Sequence, residues 1–214
     1  MNPRWVALDV GETLIDESRI WSAWADALGI PRLTLMAALG AEVARGGAHS
    51  NAFEIVGRPS WRELAPQVEE AYGGFRADDC YPDALPTVQA LCAAGYRVAI
   101  LANQPARRTR ELRALGFEPA VMAMSDELQV AKPDPRFFQR AMELMRVDDP
   151  GSVAYVGDRI DNDVMPAAEL GMRAVWLRRG PWGFIQQLPD SLRHGTLVVD
   201  SLTEFVARID ELWR

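Results

Sequence analysis

The sequence predicts an α/β fold, a doubly wound parallel sheet with a small helical unit inserted after the first strand. From Pro82 onward, short apolar runs alternate with helical patterns. Strands separated by single helices predict right-handed βαβ units and a parallel sheet covered on both faces. About 65 residues separate the first strand from Pro82, and they carry helical patterns broken by glycines. We therefore expect a core domain at residues 1–16 and 81–214 and a helical domain at residues 17–80.

Each element follows from its local pattern. The helix near Pro82 has a proline in its first turn and Gly95 beyond its end, as is typical of helix boundaries. Apolar runs of strand length predict strands at residues 4–9, 96–102, 120–124, 153–156, 173–177 and 197–199. Periodic apolar positions predict further helices at residues 21–28, 33–43, 61–72, 105–115, 135–146, 162–170 and from Leu202 to the C-terminus. Residues 178–190 are rich in glycine and proline, which predicts a loop.

Composition narrows the class of protein. A net charge of −7 argues against a nucleic-acid partner or an anionic membrane. No apolar run approaches the ~18 residues of a membrane span, and Asp9 interrupts any signal sequence. Two cysteines and two histidines are too few for a disulfide framework or a histidine-rich metal site. We expect a cytoplasmic enzyme, with no nucleic-acid or membrane partner, whose chemistry depends on carboxylates.

Polar side chains stand at the carboxyl ends of the predicted strands, where open α/β sheets bind ligands. Asp9, Asn103 and Asp158 end the first, second and fourth strands, and Lys132 follows the third. Lys132 is the single lysine beside 22 arginines, which favours a position that requires a compact ammonium. Taken singly, the acids and the amide could only cap helices or turns, and the lysine could be a solvated loop charge.

Four motifs around these residues resemble, in order, those of the haloacid dehalogenase (HAD) superfamily of phosphohydrolases. They are LDVGETL at residues 8–14, LANQ at 101–104, AKPDPRFF at 131–138 and VGDRIDND at 156–163. The resemblance covers essentially the whole chain. It implies a Rossmann-type core in which the inserted helices, at residues 17–80, form a helical cap of the first type.

The resemblance implies a phosphatase mechanism on a small phosphorylated molecule. Asp9 is the expected nucleophile, which would form an aspartyl-phosphate. Lys132 is the expected cation that neutralises charge on the nucleophile and on the phosphoryl group. The expected phosphate-binding positions are Gly11, Thr13, Ala102 and Asn103. Thr13 is also expected to order the loop of the first motif.

The resemblance also implies Mg²⁺ as cofactor, because hard oxygen ligands suit this ion and its charge offsets repulsion between a carboxylate and an anionic ester. The implied ligands are Asp9, the main-chain carbonyl of Gly11 and Asp158. Asp163 is expected either to bind the ion or to support a ligand.

Two positions depart from the family pattern. Phosphatases of the family usually carry a second Asp, the general acid and base, where this chain has Gly11, and a Ser or Thr where it has Ala102. General acid–base catalysis contributes about 10²–10⁴-fold, and a lost hydroxyl contact to a charged group costs roughly 1.5–3 kcal/mol. We therefore expect an activated leaving group. Glu12, Asp16 or an acid of the cap could supply a proton, although Glu12 is one residue out of register and should point elsewhere.

Three functions remain open from the sequence. The first is a Mg²⁺-dependent phosphatase. The second is a catalytically impaired protein that binds Mg²⁺ and a phosphorylated ligand as a regulatory module. The third, less favoured, is a haloacid dehalogenase, which uses an Asp nucleophile without a metal and typically has an aromatic residue at the position of Gly11.

Other conspicuous residues receive plainer interpretations. Three tryptophans of the inserted segment are expected in its core rather than as a substrate platform: Trp21, Trp24 and Trp61. The arginines of the predicted helix at residues 105–115 are expected on a solvated face: Arg107, Arg108, Arg110 and Arg113. His49 and His194 are assigned no role, and the substrate and the oligomeric state are not specified.

Overall fold

Six parallel strands form a single sheet in the computed structural model, which describes residues 4–213. The strands are β1 (Trp5–Leu8), β2 (Arg97–Ala102), β3 (Val121–Met124), β4 (Val153–Gly157), β5 (Arg173–Leu177) and β6 (Leu197–Val199). Their order is β3-β2-β1-β4-β5-β6, and all five pairs are parallel. The predicted doubly wound parallel sheet is confirmed.

Helices connect the strands as the sequence pattern predicts. Four α-helices lie within residues 18–72: α1 (Ser18–Leu28), α2 (Arg32–Ala44), α3 (Asn51–Ile55) and α4 (Ala65–Tyr72). The others are α5 (Ala84–Ala93), α6 (Arg107–Ala114), α7 (Ser125–Leu128), α8 (Pro135–Met145), α9 (Met165–Leu170), α10 (Gly180–Ile185) and α11 (Leu202–Arg208). We call residues 18–72 the helical segment.

The sheet is buried on both faces because alternate residues of a strand point to opposite sides. In β1, Val6 and Leu8 pack toward α5 and α11. Trp5 and Ala7 pack on the other side, in the cluster that contains the buried side of α8. β1 is therefore the fully enclosed centre of the sheet, which explains its unbroken apolar run.

The helical segment has its own apolar cluster, built on residues such as Trp21, Leu35 and Phe53. Trp182 of α10 joins this cluster. The prediction of a loop at residues 178–190 is therefore wrong in part, because Pro181 in the first turn favours a helix start and the buried Trp182 anchors that turn against the helical segment.

The predicted helix at residues 162–170 consists of a π-helical turn (Ile160–Val164) followed by α9. Wide turns of this kind are frequent at functional sites. This one carries Asp163, whose position is described below.

The expectation of a solvated arginine face on α6 is wrong for Arg108. Its side chain is buried and pairs with Glu69 of α4 at 2.9 Å and with Glu111 at 2.7 Å. Arg110 and Arg113 are exposed, as expected. Glu69 lies in a different part of the sequence, so the pair that draws Arg108 inward was invisible to a local pattern.

Within residues 4–213, no single helix is long and apolar enough to cross a membrane, and α1 and α2 meet that criterion only as a pair bent by 116°.

Candidate active site

A cavity of about 280 Å³ opens at the carboxyl ends of the central strands. β1 connects to β2 on one side and pairs with β4 on the other, so this is the switch point where open α/β sheets bind ligands. Two surfaces of different composition enclose the cavity, and we call them the floor and the roof. The floor, from strand ends and their loops, consists of Asp9, Asn103, Lys132 and Asp158. The aromatic roof consists of Trp21, Trp24, His49, Phe53, Trp61 and Trp182.

Lys132 links two carboxylates beneath the cavity. Its Nζ lies 2.6 Å from Oδ1 of Asp9 and 2.6 Å from Oδ1 of Asp163. Burial by itself would lower the pKa of the ammonium, but Asp163 and Asp9 together raise that pKa well above its usual range. Lys132 is therefore a permanent cation, fixed against one oxygen of Asp9.

Asn103 fixes the backbone that carries this lysine. Its Nδ2 donates to the carbonyl of Lys132 at 2.8 Å, and its Oδ1 accepts from the N–H of Lys132 at 2.8 Å. The amide thus ties the end of β2 to the loop after β3. Its expected role in phosphate binding stays a prediction, and one N–H of Nδ2 remains for it.

Three acids converge next to Lys132. Asp9, Asp158 and Asp163 each bring one carboxylate oxygen to within 4.8 Å of the others. Oδ2 of Asp158 is buried without a hydrogen-bond partner among residues 4–213, and burial next to Asp163 and Asp9 raises the pKa of Asp158 well above its usual range. When all three acids are ionised, the group has one ammonium for three carboxylates. An orphaned carboxylate oxygen within a surplus of negative charge fits a hard divalent cation such as Mg²⁺.

Gly157 permits the close approach of Asp163. A Cβ at residue 157 would lie 2.5 Å from Cγ of Asp163, closer than packed atoms tolerate. In the Gly-Asp pair of the fourth motif, the glycine therefore leaves room for Asp163, and Asp158 supplies a carboxylate.

The loop after Asp9 turns sharply at Glu12, which has a φ of 52°. The buried Glu12 carboxylate accepts from the Tyr81 hydroxyl at 2.6 Å and from the N–H of Glu17 at 2.9 Å. These bonds hold Glu12 in the loop, but Glu12 also lines the cavity, so the expectation that it points elsewhere is wrong in part. Thr13 is fully buried, and its carbonyl accepts from Arg179.

Glu17 brings an acid to the cavity that the sequence did not single out. It lies where α1 begins, and its Oε1 accepts from Nε2 of Gln104 at 3.0 Å. Burial, followed by the charges of Glu12 and Asp9, raises the pKa of Glu17 to about 7. A carboxyl with such a pKa is protonated far more often at neutral pH than an ordinary Glu.

The roof is an assembly of stacked rings. Phe53 stacks on Trp61 with 4.4 Å between ring centroids and on Trp21 with 5.8 Å. Trp24 meets Trp61 edge-on at 5.3 Å. Trp21 is buried in the cluster of the helical segment as expected, yet all three tryptophans also line the cavity.

Most of the predicted site residues meet in this cavity. Five of them line it: Asp9, Gly11, Asn103, Lys132 and Asp158. Asp163 lies directly beneath, and Thr13 and Ala102 are buried outside the lining. Sequence reasoning did not single out eight of the lining residues: Glu17, Ile20, His49, Phe53, Gln104, Arg159, Asn162 and Trp182. Gln104, Arg159 and Asn162 stood inside motifs, whereas the other five stood outside them.

Comparison with known proteins matches this chain to a family of hydrolases. A family model of haloacid dehalogenase-like hydrolases matches residues 3–171. A glyceraldehyde 3-phosphate phosphatase from Methanopyrus kandleri is 33% identical over 105 residues, which cover 48% of this chain and 45% of that protein. An (S)-2-haloacid dehalogenase from a Pseudomonas species is 34% identical over 131 residues, 60% of this chain and 56% of that protein. This chain therefore spans about half the length of the curated relatives it matches.

A solved structure shows the shared fold. The Bacillus subtilis protein YfnB, in a crystal structure with bound magnesium, superposes with a TM-score of 0.71 at 14% identity. The match covers 98% of this chain and 100% of that one.

Proposed function

The chain belongs to the haloacid dehalogenase-like hydrolases, and on that premise we propose that it is a Mg²⁺-dependent phosphoric monoester hydrolase that acts through an aspartyl-phosphate on Asp9. The observation that carries the proposal is the cluster of Asp9, Asp158 and Asp163 next to Lys132, which places three carboxylates beside one ammonium. A phosphatase related in sequence supports the reaction class.

Asp9 is oriented for attack by its contacts. Lys132 holds Oδ1 of Asp9, which leaves Oδ2 to attack phosphorus while the bond to the leaving oxygen breaks. The ammonium stays in place throughout and offsets the negative charge that accumulates around the phosphoryl group. Water then attacks the same phosphorus, and the bond to Asp9 breaks with release of phosphate.

Asp9 and Asp158 are the proposed protein ligands of Mg²⁺, with Asp163 beside them. The ion, when bound, would offset repulsion between the carboxylates and the phosphate ester. Asp163 is itself held by Lys132 and by the N–H of Arg159 at 3.2 Å, so it keeps its orientation while it supports the site.

The helical segment, as the proposed cap, would select the organic group. Because the rings of the roof face the same cavity as Asp9, we propose a substrate whose organic part is apolar or planar and packs against Phe53 and Trp61.

The test is phosphate release from p-nitrophenyl phosphate and acetyl phosphate, with Mg²⁺ and with EDTA. We expect Mg²⁺-dependent turnover in the wild type, a loss of about 10⁴-fold or more in Asp9→Asn and little change in Asp16→Asn. Asp16 is a suitable control because it lies outside the cavity lining, and its Oδ1, which accepts from the N–H of Ser18, is retained in Asn. Asp9-independent turnover would contradict the proposal. Mg²⁺-dependent binding of phosphate esters without turnover would favour the impaired, ligand-binding alternative.

A second candidate follows from the relative named as a haloacid dehalogenase. That chemistry would use Asp9 to displace halide without a metal. Chloride release from 2-chloropropionate in EDTA is the assay. We expect none, because that reaction needs no metal, whereas the acids around Asp158 form a cluster that fits a divalent cation.

A further inference from the structure

The space beside Gly11 is already filled by a carboxylate. A Cβ built on Gly11 would lie 2.6 Å from Oε1 of Glu17 and 2.8 Å from its Cδ. Residue 11 is where phosphatases that this chain resembles carry their acid–base side chain. The chain therefore lacks that side chain at residue 11 and holds another carboxyl group, from residue 17, in the volume that side chain would enter.

The position of Glu17 is not explained by capping α1. Glu17 occupies the N-cap position, but its side chain makes no capping hydrogen bond. It is directed to the cavity, where Gln104 donates to Oε1 and its own N–H is held by Glu12. No hydrogen bond reaches Oε2 from residues 4–213, so this oxygen is available to a ligand.

The neighbouring acids are less suited to this role. Glu12 also lines the cavity, but Oε1 accepts from the N–H of Glu17 and Oε2 from the Tyr81 hydroxyl. Asp16 accepts from the N–H of Ser18 and lies outside the cavity lining. Asp9 and Asp158 belong to the floor. Glu17 is thus the one carboxyl among the described lining residues that enters from the N-cap of α1, directly before the helical segment.

We propose that Glu17 is the general acid and base of the reaction, entering from the start of α1 in place of the side chain absent at Gly11. The assignment rests on the proposed function of Asp9. In the first step, the carboxylic acid of Glu17 gives its proton to the leaving oxygen as the P–O bond breaks and the Asp9–phosphorus bond forms. In the second step, the Glu17 carboxylate takes a proton from water as the water oxygen attacks phosphorus and the bond to Asp9 breaks. Glu17 ends as it began.

This assignment changes the expected substrate range. A chain without an acid would be restricted to activated esters. With Glu17 in place, ordinary alcohols and phenols become competent leaving groups.

Two esters of nearly the same shape test the first step. Phenyl phosphate and p-nitrophenyl phosphate differ by one nitro group, but phenoxide needs a proton far more than p-nitrophenoxide does. For Glu17→Gln we expect kcat/KM to fall about 10²–10⁴-fold with phenyl phosphate and about tenfold or less with p-nitrophenyl phosphate. Asp16→Asn should match the wild type with both. An equal loss with both esters would mean that Glu17 only supports the cavity, and it would overturn the assignment.

The second step has its own signature. Without a base, hydrolysis of the aspartyl-phosphate becomes slow after p-nitrophenol has left. Glu17→Gln should therefore release p-nitrophenol in a burst of about one equivalent per chain, and intact mass spectrometry should show one added phosphoryl group. A misfolded variant would give neither the burst nor the added phosphoryl group. If a Glu17→Gln protein with the melting temperature of the wild type shows neither, the assignment is overturned.

A swap of position decides whether the carboxyl group itself matters. Glu17→Ala empties the volume beside Gly11, and Gly11→Asp in that background places a carboxyl there from the other side. With phenyl phosphate, we expect kcat/KM of the Gly11→Asp, Glu17→Ala double variant to be at least tenfold higher than that of Glu17→Ala alone. The Gly11→Asn, Glu17→Ala double variant should show no such increase. Equal behaviour of the Asp and Asn variants would overturn the assignment. If the wild type shows no Asp9-dependent phosphate release from any ester, the proposed function itself fails. That outcome is distinct from a failure of the Glu17 assignment, because the comparisons above are made in a protein that is active.

Discussion

The floor and the roof of the cavity face each other with opposite chemistry. The floor carries buried charges held by ion pairs of 2.6 Å between Lys132 and the carboxylates of Asp9 and Asp163. The roof carries stacked rings, and the carboxyl of Glu17 lines the cavity beside them. In the proposed function, the charges that act on phosphorus stand at the strand ends and their loops, whereas the side chains that meet the organic group stand on helices outside the sheet.

This division predicts two patterns of damage. A change in the floor should impair every substrate alike and should disturb folding or ion binding. A change in the roof should alter the ranking of substrates and leave phosphoryl chemistry intact. The following variants test that separation.

The largest effect is expected from Lys132→Met. Removal of the ammonium leaves two buried carboxylates without their partner, and breaking a buried pair in this way costs about 3–5 kcal/mol. Urea denaturation should show this loss, and turnover should fall with all esters. Arg136→Met is the control, because the Asp134–Arg136 pair is exposed and such pairs contribute little. If Lys132→Met unfolds at the same urea concentration as the control, the floor is not held by its charges.

Mg²⁺ binding gives the next effect. An ion present at 100 times its Kd stabilises the protein by about 2.7 kcal/mol, which a thermal melt with and without EDTA should reveal. Asp158→Asn should abolish the shift, and without Mg²⁺ it should melt no lower than the wild type, because the raised pKa of Asp158 means that its ionised form is disfavoured in the folded state. Asp161→Asn, an exposed neighbour, should keep the shift. A shift that persists in Asp158→Asn would place the ion elsewhere.

Gly157→Ala should have a smaller effect on the floor. The added methyl meets Asp163 at 2.5 Å, and overpacking of this kind costs about 1–3 kcal/mol. Gly195→Ala is the matched control, since nothing lies within 4 Å of its added methyl. Both proteins should be compared by urea denaturation and by turnover. Equal stability would mean that Asp163 moves aside without cost.

The smallest effect concerns the roof. Trp61→Leu removes the ring that stacks on Phe53, and an aromatic contact contributes about 0.5–1.5 kcal/mol. KM for phenyl phosphate should therefore rise about 2–10-fold, while KM for acetyl phosphate, which has no ring, should change little. The second substrate serves as the control within the same protein. A rise for both esters would show that the roof supports the floor instead of selecting the organic group.

Much of this arrangement could be predicted from local patterns. The six strands are close to their predicted positions, and Asp9, Asn103, Lys132 and Asp158 meet at one edge of the sheet. A parallel sheet gathers its strand ends at one edge, so a residue that ends a strand can be placed without knowing its partners. The membership in the HAD-like hydrolases was predicted on the same residues and is confirmed.

Other features depend on pairs that are far apart in sequence. Arg108 was expected in solvent, but Glu69 draws it inward across the boundary with the helical segment. Trp182 was expected in a loop, but it packs among the rings of that segment. In both cases the favourable contact lies with an element that local periodicity does not describe.

The sequence by itself determined the sheet, the order of its motifs and the identity of the floor, because strand length, apolar burial and strand-end position are local properties. Only the tertiary structure decided what fills the space beside Gly11. The hydrogen bond that directs Glu17 there comes from Gln104, 87 residues away, and the direction of a side chain at a helix start depends on such a partner. The absence of an acid at residue 11 could thus be predicted from the sequence, whereas the presence of the Glu17 carboxyl beside it depends on the fold.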